Sequence, residues 1–224
     1  MTRLFTLAAC LCVAVSGVPS FADARLSARK LSKADEALLR TVDQHYNHLA
    51  SLRGRYTERY VGMGLTRQES GSLLLKKPGR MRWLYDSPVG KIFVLDAKYA
   101  WFYTPGDAQA QRVSARQIDD LRTPLRFLLG HTELKKELAD ISVVANGDGF
   151  DIVGIPNGMR ARVKQLSLQV TPAGSIVAIK LEEIDGAVTA FSFSELQENV
   201  PAKDSDFLFS VPPGVAVVDG APPV

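Results

Sequence analysis

The stretch KKPGRMRWLYDSP, residues 76–88, decides the fold. Its second half alternates. Met81, Trp83 and Tyr85 occupy one side of a period of two, and Arg80, Arg82 and Leu84 the other. A period of two places successive side chains on opposite faces of a β-strand. The first half places four cations, Lys76, Lys77, Arg80 and Arg82, within seven positions. A strand with an aromatic face and a basic rim poses the question of what that face meets.

The same period runs outward in both directions. It begins near Arg53, and residues 54–63 are rich in Tyr and Val. Gly71, Leu73 and Leu75 alternate with Ser72, Leu74 and Lys76. KIFVLD (91–96) and AWFYTP (100–105) follow, then ISVVAN (141–146), FDIVGIP (150–156) and a long run over 163–199. Pro172-Ala173-Gly174 and Asp185-Gly186 each join two β-rich runs, as hairpin loops do. About eleven strands with short loops predict an antiparallel sheet in meander order.

Helical spacing appears twice. Ser32 is an N-cap with Asp35 three residues on, and Leu38, Val42, Tyr46 and Leu49 form one apolar stripe. The interruption DDLRTPLRFLLGHTELKKEL (119–138) has Thr123 as a cap, Pro124 at the first helical position and Gly130 as a stop. Thr132 and Glu133 begin a second short helix. Leu125, Phe127, Leu128 and Leu129 give more apolar surface than a short surface helix needs. A large antiparallel sheet has a face to bury, and only one long and two short helices are available to cover it. Helices seated in the concavity of a curled sheet would leave an apolar, loosely filled space, a candidate ligand cavity.

Composition bounds the reading. The chain has 224 residues, 46% hydrophobic and 23% charged, with a net charge of +3. That is a folded composition, and too weakly basic to argue for nucleic acid. Residues 1–24 read as a secretory signal peptide: Arg3, an apolar run from Leu4 to Val15, then Ala22-Asp23-Ala24 as an A-x-A cleavage site. Both cysteines, Cys10 and Cys12, lie within it. The mature chain is thus expected to be exported, free of disulfides and a single domain over 25–224.

Signatures of catalysis are scarce. The chain has no G-x-S-x-G elbow, H-E-x-x-H pair, P-loop or G-x-G-x-x-G. His45 and His48 share a helix flank, but no third ligand stands at metal-site spacing. No enzyme activity or metal site is expected. The stronger signal is aromatic: Trp83, Tyr85, Phe93, Trp101 and Tyr103 fall on adjacent predicted strands.

These residues resemble a known family. LLLKKPGRMRWLYDSP followed by IFVLDAKYAWFYTP is similar to the signature of the outer-membrane lipoprotein carrier proteins, the LolA-like family. TPLRFLLG and, near the C-terminus, FLFSVPPGVAVVD are further matches. The resemblance spans the mature chain from the opening helix through Asp219. It implies a mainly β fold: an unclosed antiparallel β-barrel of about eleven strands, with an N-terminal helix and short helices forming a lid over an apolar cavity. It implies a monomeric periplasmic chaperone without cofactor. Lipoprotein acyl chains would come from an inner-membrane ABC exporter (LolCDE-like) and go to an outer-membrane acceptor (LolB-like).

Carried over by position, Tyr46, Met81, Trp83 and Tyr85 would line the cavity, and Phe93, Leu95, Trp101, Tyr103, Leu125, Leu128 and Leu129 are the further expected lining residues. Lys77 stands where the family commonly has an arginine that bonds to the lid; lysine keeps the charge and loses the planar fork. Lys77, Arg80 and Arg82 are therefore the expected lid and hand-over residues. Ala97 stands where the family usually has glycine after aspartate, so a different turn is expected there. The same fold can host other lipids. A carrier of another lipid or glycolipid, a periplasmic lipid or stress sensor, and a lipid-acting hydrolase are the alternatives.

Overall fold

The computed structural model describes residues 30–118 and 133–220. Of the helical interruption expected over 119–138, residues 119–132, with Leu125, Leu128 and Leu129, lie outside the described residues, and Leu134–Glu137 is helical. The described chain enters through α1 (Lys33–His48). Ser32 Oγ accepts from the Asp35 N–H at 3.1 Å, and the Asp35 carboxylate accepts from the Ser32 N–H at 2.7 Å. This reciprocal pair satisfies two amide groups that the first helical turn leaves without partners. The apolar stripe read from the sequence is the buried one, with Leu39 beside it.

Among the described residues twelve strands follow: β1 (Ser51–Gly62), β2 (Leu65–Lys76), β3 (Arg80–Ser87), β4 (Ile92–Asp96), β5 (Tyr99–Tyr103), β6 (Gln109–Ser114), β7 (Leu138–Asn146), β8 (Gly149–Pro156), β9 (Val163–Val170), β10 (Ile176–Glu183), β11 (Val188–Glu198) and β12 (Ala216–Asp219). The one-turn helices α2 (Ala115–Ile118) and α3 (Leu134–Glu137) lie between β6 and β7, and a 3-10 turn spans Asp204–Phe207.

All twelve strands form one sheet in the order β12-β6-β5-β4-β3-β2-β1-β11-β10-β9-β8-β7. It is two meanders, β1–β6 and β7–β11, joined edge to edge where Val61 of β1 faces Val188 of β11. The sheet is unclosed, with β12 and β7 at its two ends. The expected eleven strands are the antiparallel ones. The twelfth, β12, runs parallel to β6 and is tied to it by Arg112, whose Nε and Nη2 donate to the two Asp219 oxygens at 2.6 and 2.8 Å.

The alternating strands send one apolar set to the concave face. Leu73, Leu75, Met81, Trp83, Ile152, Leu166, Leu168 and Ile176 are buried there with the stripe of α1. The helix sits at the end of the concavity that carries the β2–β3 and β9–β10 turns. The Ile176 N–H donates to the Tyr46 hydroxyl at 2.9 Å, and the Leu134 N–H donates to Asp43 Oδ1 at 3.0 Å. Gly174, in the β9–β10 turn with φ +87°, lets the helix backbone rest on it, for a Cβ there would stand 2.9 Å from the Thr41 carbonyl oxygen.

Candidate functional site

With α1 filling one end, the concavity opens at the other. The β1–β2, β3–β4, β5–β6 and β10–β11 turns ring that mouth. A cavity of about 760 Å³ lies inside it, within the 300–1,000 Å³ range of small-ligand sites. Its inner wall is apolar: Trp83, Tyr85, Phe93, Phe102, Leu181 and Phe191. The Trp83 ring is packed against Tyr56 at 4.2 Å and edge-on to Phe191 at 5.5 Å. Its outer wall is charged, with Glu58, Arg67, Glu69, Lys91, Asp107, Arg162 and Glu183.

The charged wall is internally matched. Lys91 Nζ donates to both oxygens of the buried Glu69 carboxylate, at 2.8 and 2.7 Å, and lies 4.5 Å from the centre of the Tyr85 ring. Arg67 Nε is 3.6 Å from Glu69, and Arg162 Nε is 3.8 Å from Glu183. Large apolar side chains are exposed on the turns at this end: Met63, Leu65, Val89 and Ile184.

Among the expected cavity residues, the structure places Trp83, Tyr85 and Phe93 on the inner wall. Met81 and Leu95 share that face but are packed deeper in the core. Tyr46 is buried in the core beneath α1, and burial pushes its phenol up to about 12. Tyr103 borders the cavity mouth, and Trp101 requires a correction. On β5, Phe102 points inward to Phe93, with ring centres 4.9 Å apart. Trp101 and Tyr103 point outward and pack on Phe209, at 5.6 and 5.8 Å, although Tyr103 also borders the cavity mouth. The outer face there is a second apolar cluster, built on Leu74, Val94 and Phe207 and completed by Ile92, Trp101, Val200, Ala202 and Phe209. The C-terminal segment therefore covers the convex side of β2–β5.

The three cations expected at the lid separate. Lys77 reaches α1, where its ammonium donates to the Tyr46 carbonyl, and partial burial lowers its pKa. Arg80 and Arg82 point to the convex side instead. Arg80 Nη2 is 3.0 Å from Asp204, and Arg82 Nη1 donates to the Asp206 carbonyl at 2.8 Å. Lys76 joins them, donating to Asp204 Oδ1 at 2.6 Å. They fasten the 3-10 turn. A turn like that of glycine forms at Ala97, with φ 78°. Asp96 Oδ1 accepts from the amides of Lys98 and Tyr99 at 2.8 and 2.6 Å.

Sequence reasoning missed Phe102, Phe191 and the polar residues of the mouth. Phe102 was hidden inside the all-aromatic run YAWFY. The polar ones carried no motif, because β1, β2, β10 and the turns before β4, β6 and β9 bring them together only in the curled sheet. Among the described residues, no three His, Cys, Asp or Glu side chains are placed to hold a metal. No helix among them is long and apolar enough to cross a membrane.

Comparison with known proteins adds an independent line. Residues 49–210 match the model of the family described as outer membrane lipoprotein carrier protein LolA. The chain is 27% identical to an outer-membrane lipoprotein carrier protein of Sodalis glossinidius, over 95% of this chain and 96% of that one. It is 30% identical to the protein of the same description from Photorhabdus laumondii, over 70% of this chain and 74% of that one. Among solved structures, an uncharacterized conserved protein from Thermus thermophilus superposes with a TM-score of 0.52 at 12% identity, over 84% of this chain and 100% of that one. That last likeness concerns the fold alone.

Proposed function

We infer, for a chain that belongs to the outer membrane lipoprotein carrier protein LolA family, that it is a periplasmic carrier whose cavity takes up the acyl chains of lipoproteins. The observation that carries this reading is the concave pocket itself. It is apolar at depth, plugged at one end by α1 and open at the other. Each methylene moved from water into such a wall gains about 0.8 kcal/mol. Leaving a bilayer costs a comparable amount, so the carrier needs only a cavity while an exporter supplies the energy.

In this reading the cargo comes from an ABC exporter of the inner membrane and goes to an acceptor at the outer membrane. Residues 1–24 are removed on export, and 25–224 act as one non-enzymatic carrier domain. The chain works as a monomer without cofactor. Lys77 holds α1 over its end of the cavity, and Trp83, Tyr85 and Phe93 meet the acyl chains. The test is mass spectrometry of what co-purifies with the protein from the periplasm. Acylated peptides or lipoproteins are the expected species. Recovery of free glycolipid alone would assign it to another lipid.

A further inference from the structure

The rim of the cavity mouth is apolar at its tips. Met63 is 80% exposed, Leu65 64%, Val89 82% and Ile184 62%. They stand at the β1–β2, β3–β4 and β10–β11 turns, and these turns form one rim. A Cβ on Gly62 would lie 2.8 Å from the Ala187 methyl, so the β1–β2 and β10–β11 turns touch. A Cβ on Gly90 would lie 2.8 Å from the Pro105 ring, so the β3–β4 and β5–β6 turns touch. The Lys91 bond to Glu69, at 2.7 Å, links the two pairs. At the α1 end of the sheet, the β2–β3, β4–β5, β7–β8 and β9–β10 turns carry no exposed large apolar side chain among the described residues.

Met63 is the most informative of the four. Met63 and Gly64 are the central residues of the β1–β2 hairpin, with φ 49° and 74°. Positive φ at both positions matches the twist of the strands, and Asn-Gly, Asp-Gly or Gly-Gly is the sequence that suits it. A methionine there strains the backbone, and at 80% exposure it buries little against the fold. Folding alone therefore does not account for an apolar side chain at this tip.

Charge and area narrow what meets the rim. Arg67 and Lys91 lie 3.6 and 2.7 Å from Glu69, Arg162 3.8 Å from Glu183, and Arg160 2.7 Å from Asp140. Around the cavity, Glu58, Glu69, Asp107 and Glu183 stand against Arg67, Lys91 and Arg162. The mouth thus has no excess of positive charge for an anionic surface. Four side chains at these exposures present a few hundred Å² of apolar surface, short of the roughly 800 Å² that each partner buries in a stable protein interface. They stand on separate turns around an opening. A folded partner would need a recess for each, whereas fluid hydrocarbon meets them all.

We propose that this rim is a membrane-docking surface. Met63, Leu65, Val89 and Ile184 enter the interfacial region of a phospholipid bilayer and set the cavity mouth against it, without requiring anionic lipid. Docking goes beyond the carrier reading, which needs only a donor and an acceptor, and does not depend on it.

The experiment is co-flotation of the purified mature chain with vesicles of phosphatidylcholine, and of equal parts phosphatidylcholine and phosphatidylglycerol, at low and high salt. The chain should partition onto both. Lipid charge and salt should change its affinity by less than about fivefold, the worth of one basic residue at an anionic surface. Met63→Asn should weaken partitioning about tenfold and yet hold or raise the melting temperature, since asparagine suits the left-handed position. Val89→Ser and Ile184→Ser should weaken it by a similar factor. Leu208→Ser, at a side chain 68% exposed in the C-terminal segment, should leave it unchanged. A chain that does not float, or that floats only with the anionic vesicles and is released by salt, overturns the proposal. So does a Leu208→Ser variant that loses as much as Met63→Asn. A chain that does not float but forms a dimer dissociated by Met63→Asn overturns it too, and makes the rim a face between copies. Binding of a fluorescent fatty acid in the cavity, followed in the same variants, separates the two readings: a chain that binds this probe but not the vesicles loses the docking rim and keeps the carrier.

Discussion

Lys77, in the turn between β2 and β3, donates its ammonium hydrogen bond to the backbone carbonyl of Tyr46, in the last turn of α1. The phenol of the same tyrosine accepts from Ile176 in β10. One residue of the helix is thus gripped from both halves of the sheet, by its main chain on one side and its side chain on the other. A cation at the C-terminal end of a helix also complements the helix dipole.

Loss of that grip should loosen α1 without unfolding the sheet. Lys77→Leu removes one hydrogen bond, worth roughly 1 kcal/mol and up to about 3 when the abandoned carbonyl stays buried. That shifts the closed-to-open ratio of the helix several-fold to about a hundredfold. Hydrogen exchange of the α1 amides should speed up accordingly, and transfer of cargo to an acceptor should change rate. Lys77→Arg should stay near wild type, because the guanidinium can still donate. Unchanged α1 exchange in Lys77→Leu refutes the latch.

The pH dependence of this contact has two opposing parts. Burial raises the Tyr46 phenol from 10.0 to about 12. Above pH 10 the folded chain therefore holds a proton that the unfolded chain releases. The corresponding stability is whole below pH 10 and is lost as pH rises through 12. Lys77 runs the other way. Its pKa is lowered from 10.5 by burial, so just below 10.5 the unfolded chain binds more protons and this group favours folding as pH rises. Tyr46→Phe isolates the first part. Between pH 9 and 11 its stability relative to wild type should change by about 1 kcal/mol in favour of the variant. Urea midpoints that fall in parallel for both proteins would show that the Tyr46 proton is not linked to folding.

How much was readable in the residues is clearest from β3 and β5. In β3, RMRWLYDS alternates cleanly because its outward positions, Arg80 and Arg82, are charged. In β5, YAWFY offers no polar residue to mark a face, and both faces are covered, one by the cavity wall and one by Phe209. A slip of one position exchanges the faces, and it placed Trp101 inside in place of Phe102. The helix stripe was legible because Val42, Tyr46 and Leu49 are separated by polar residues. The partners of Arg80 and Arg82 were not, since Asp204 and Asp206 lie more than a hundred residues away and meet them only by folding. The four exposed residues of β12 carry no burial period at all.

The two tryptophans should therefore behave oppositely. Trp83→Glu places a carboxylate against Tyr56 and Phe191 in the cavity, where an unpaired charge is costly. It should abolish binding of a fluorescent lipid. Trp101→Ala should lower the melting temperature by loosening the C-terminal segment, with lipid affinity within about twofold of wild type, a difference under about 0.5 kcal/mol. Undiminished lipid binding by a cooperatively melting Trp83→Glu variant would place the site elsewhere.

At Ala97 the backbone adopts φ 78°, a region where a Cβ crowds the following carbonyl. The hydrogen bonds from Lys98 and Tyr99 to Asp96 hold the turn despite this. Ala97→Gly should relieve roughly 1 kcal/mol of left-handed strain, offset in part by the greater freedom of glycine in the unfolded chain. A small rise in the urea midpoint is expected, and a fall would mean that the entropy of glycine outweighs the strain.

The last prediction concerns the convex face. Phe207 is fully buried between Leu74 and Val94, on the side of the sheet away from the cavity. It is held there by Arg82 bonding the Asp206 carbonyl, and by Lys76 and Arg80 flanking Asp204. The Lys76 hydrogen bond keeps the Asp204 carboxyl below its usual range, so this clasp is complete at neutral pH and weakens only as the carboxylate takes up a proton in acid. Removing a buried phenylalanine typically costs about 3–5 kcal/mol through lost transfer energy and the cavity left behind. Phe207→Ala should reach about that figure in urea denaturation, while Asp204→Asn, at the exposed end of the clasp, should cost far less. Both should bind a fluorescent lipid as wild type does at a temperature where they remain folded, because neither touches the concave wall. A Phe207→Ala variant that keeps its stability would show that the C-terminal segment is not part of the cooperative fold. One that stays folded yet loses the lipid would show that the two faces of β3 and β4 are energetically coupled through the strands they share.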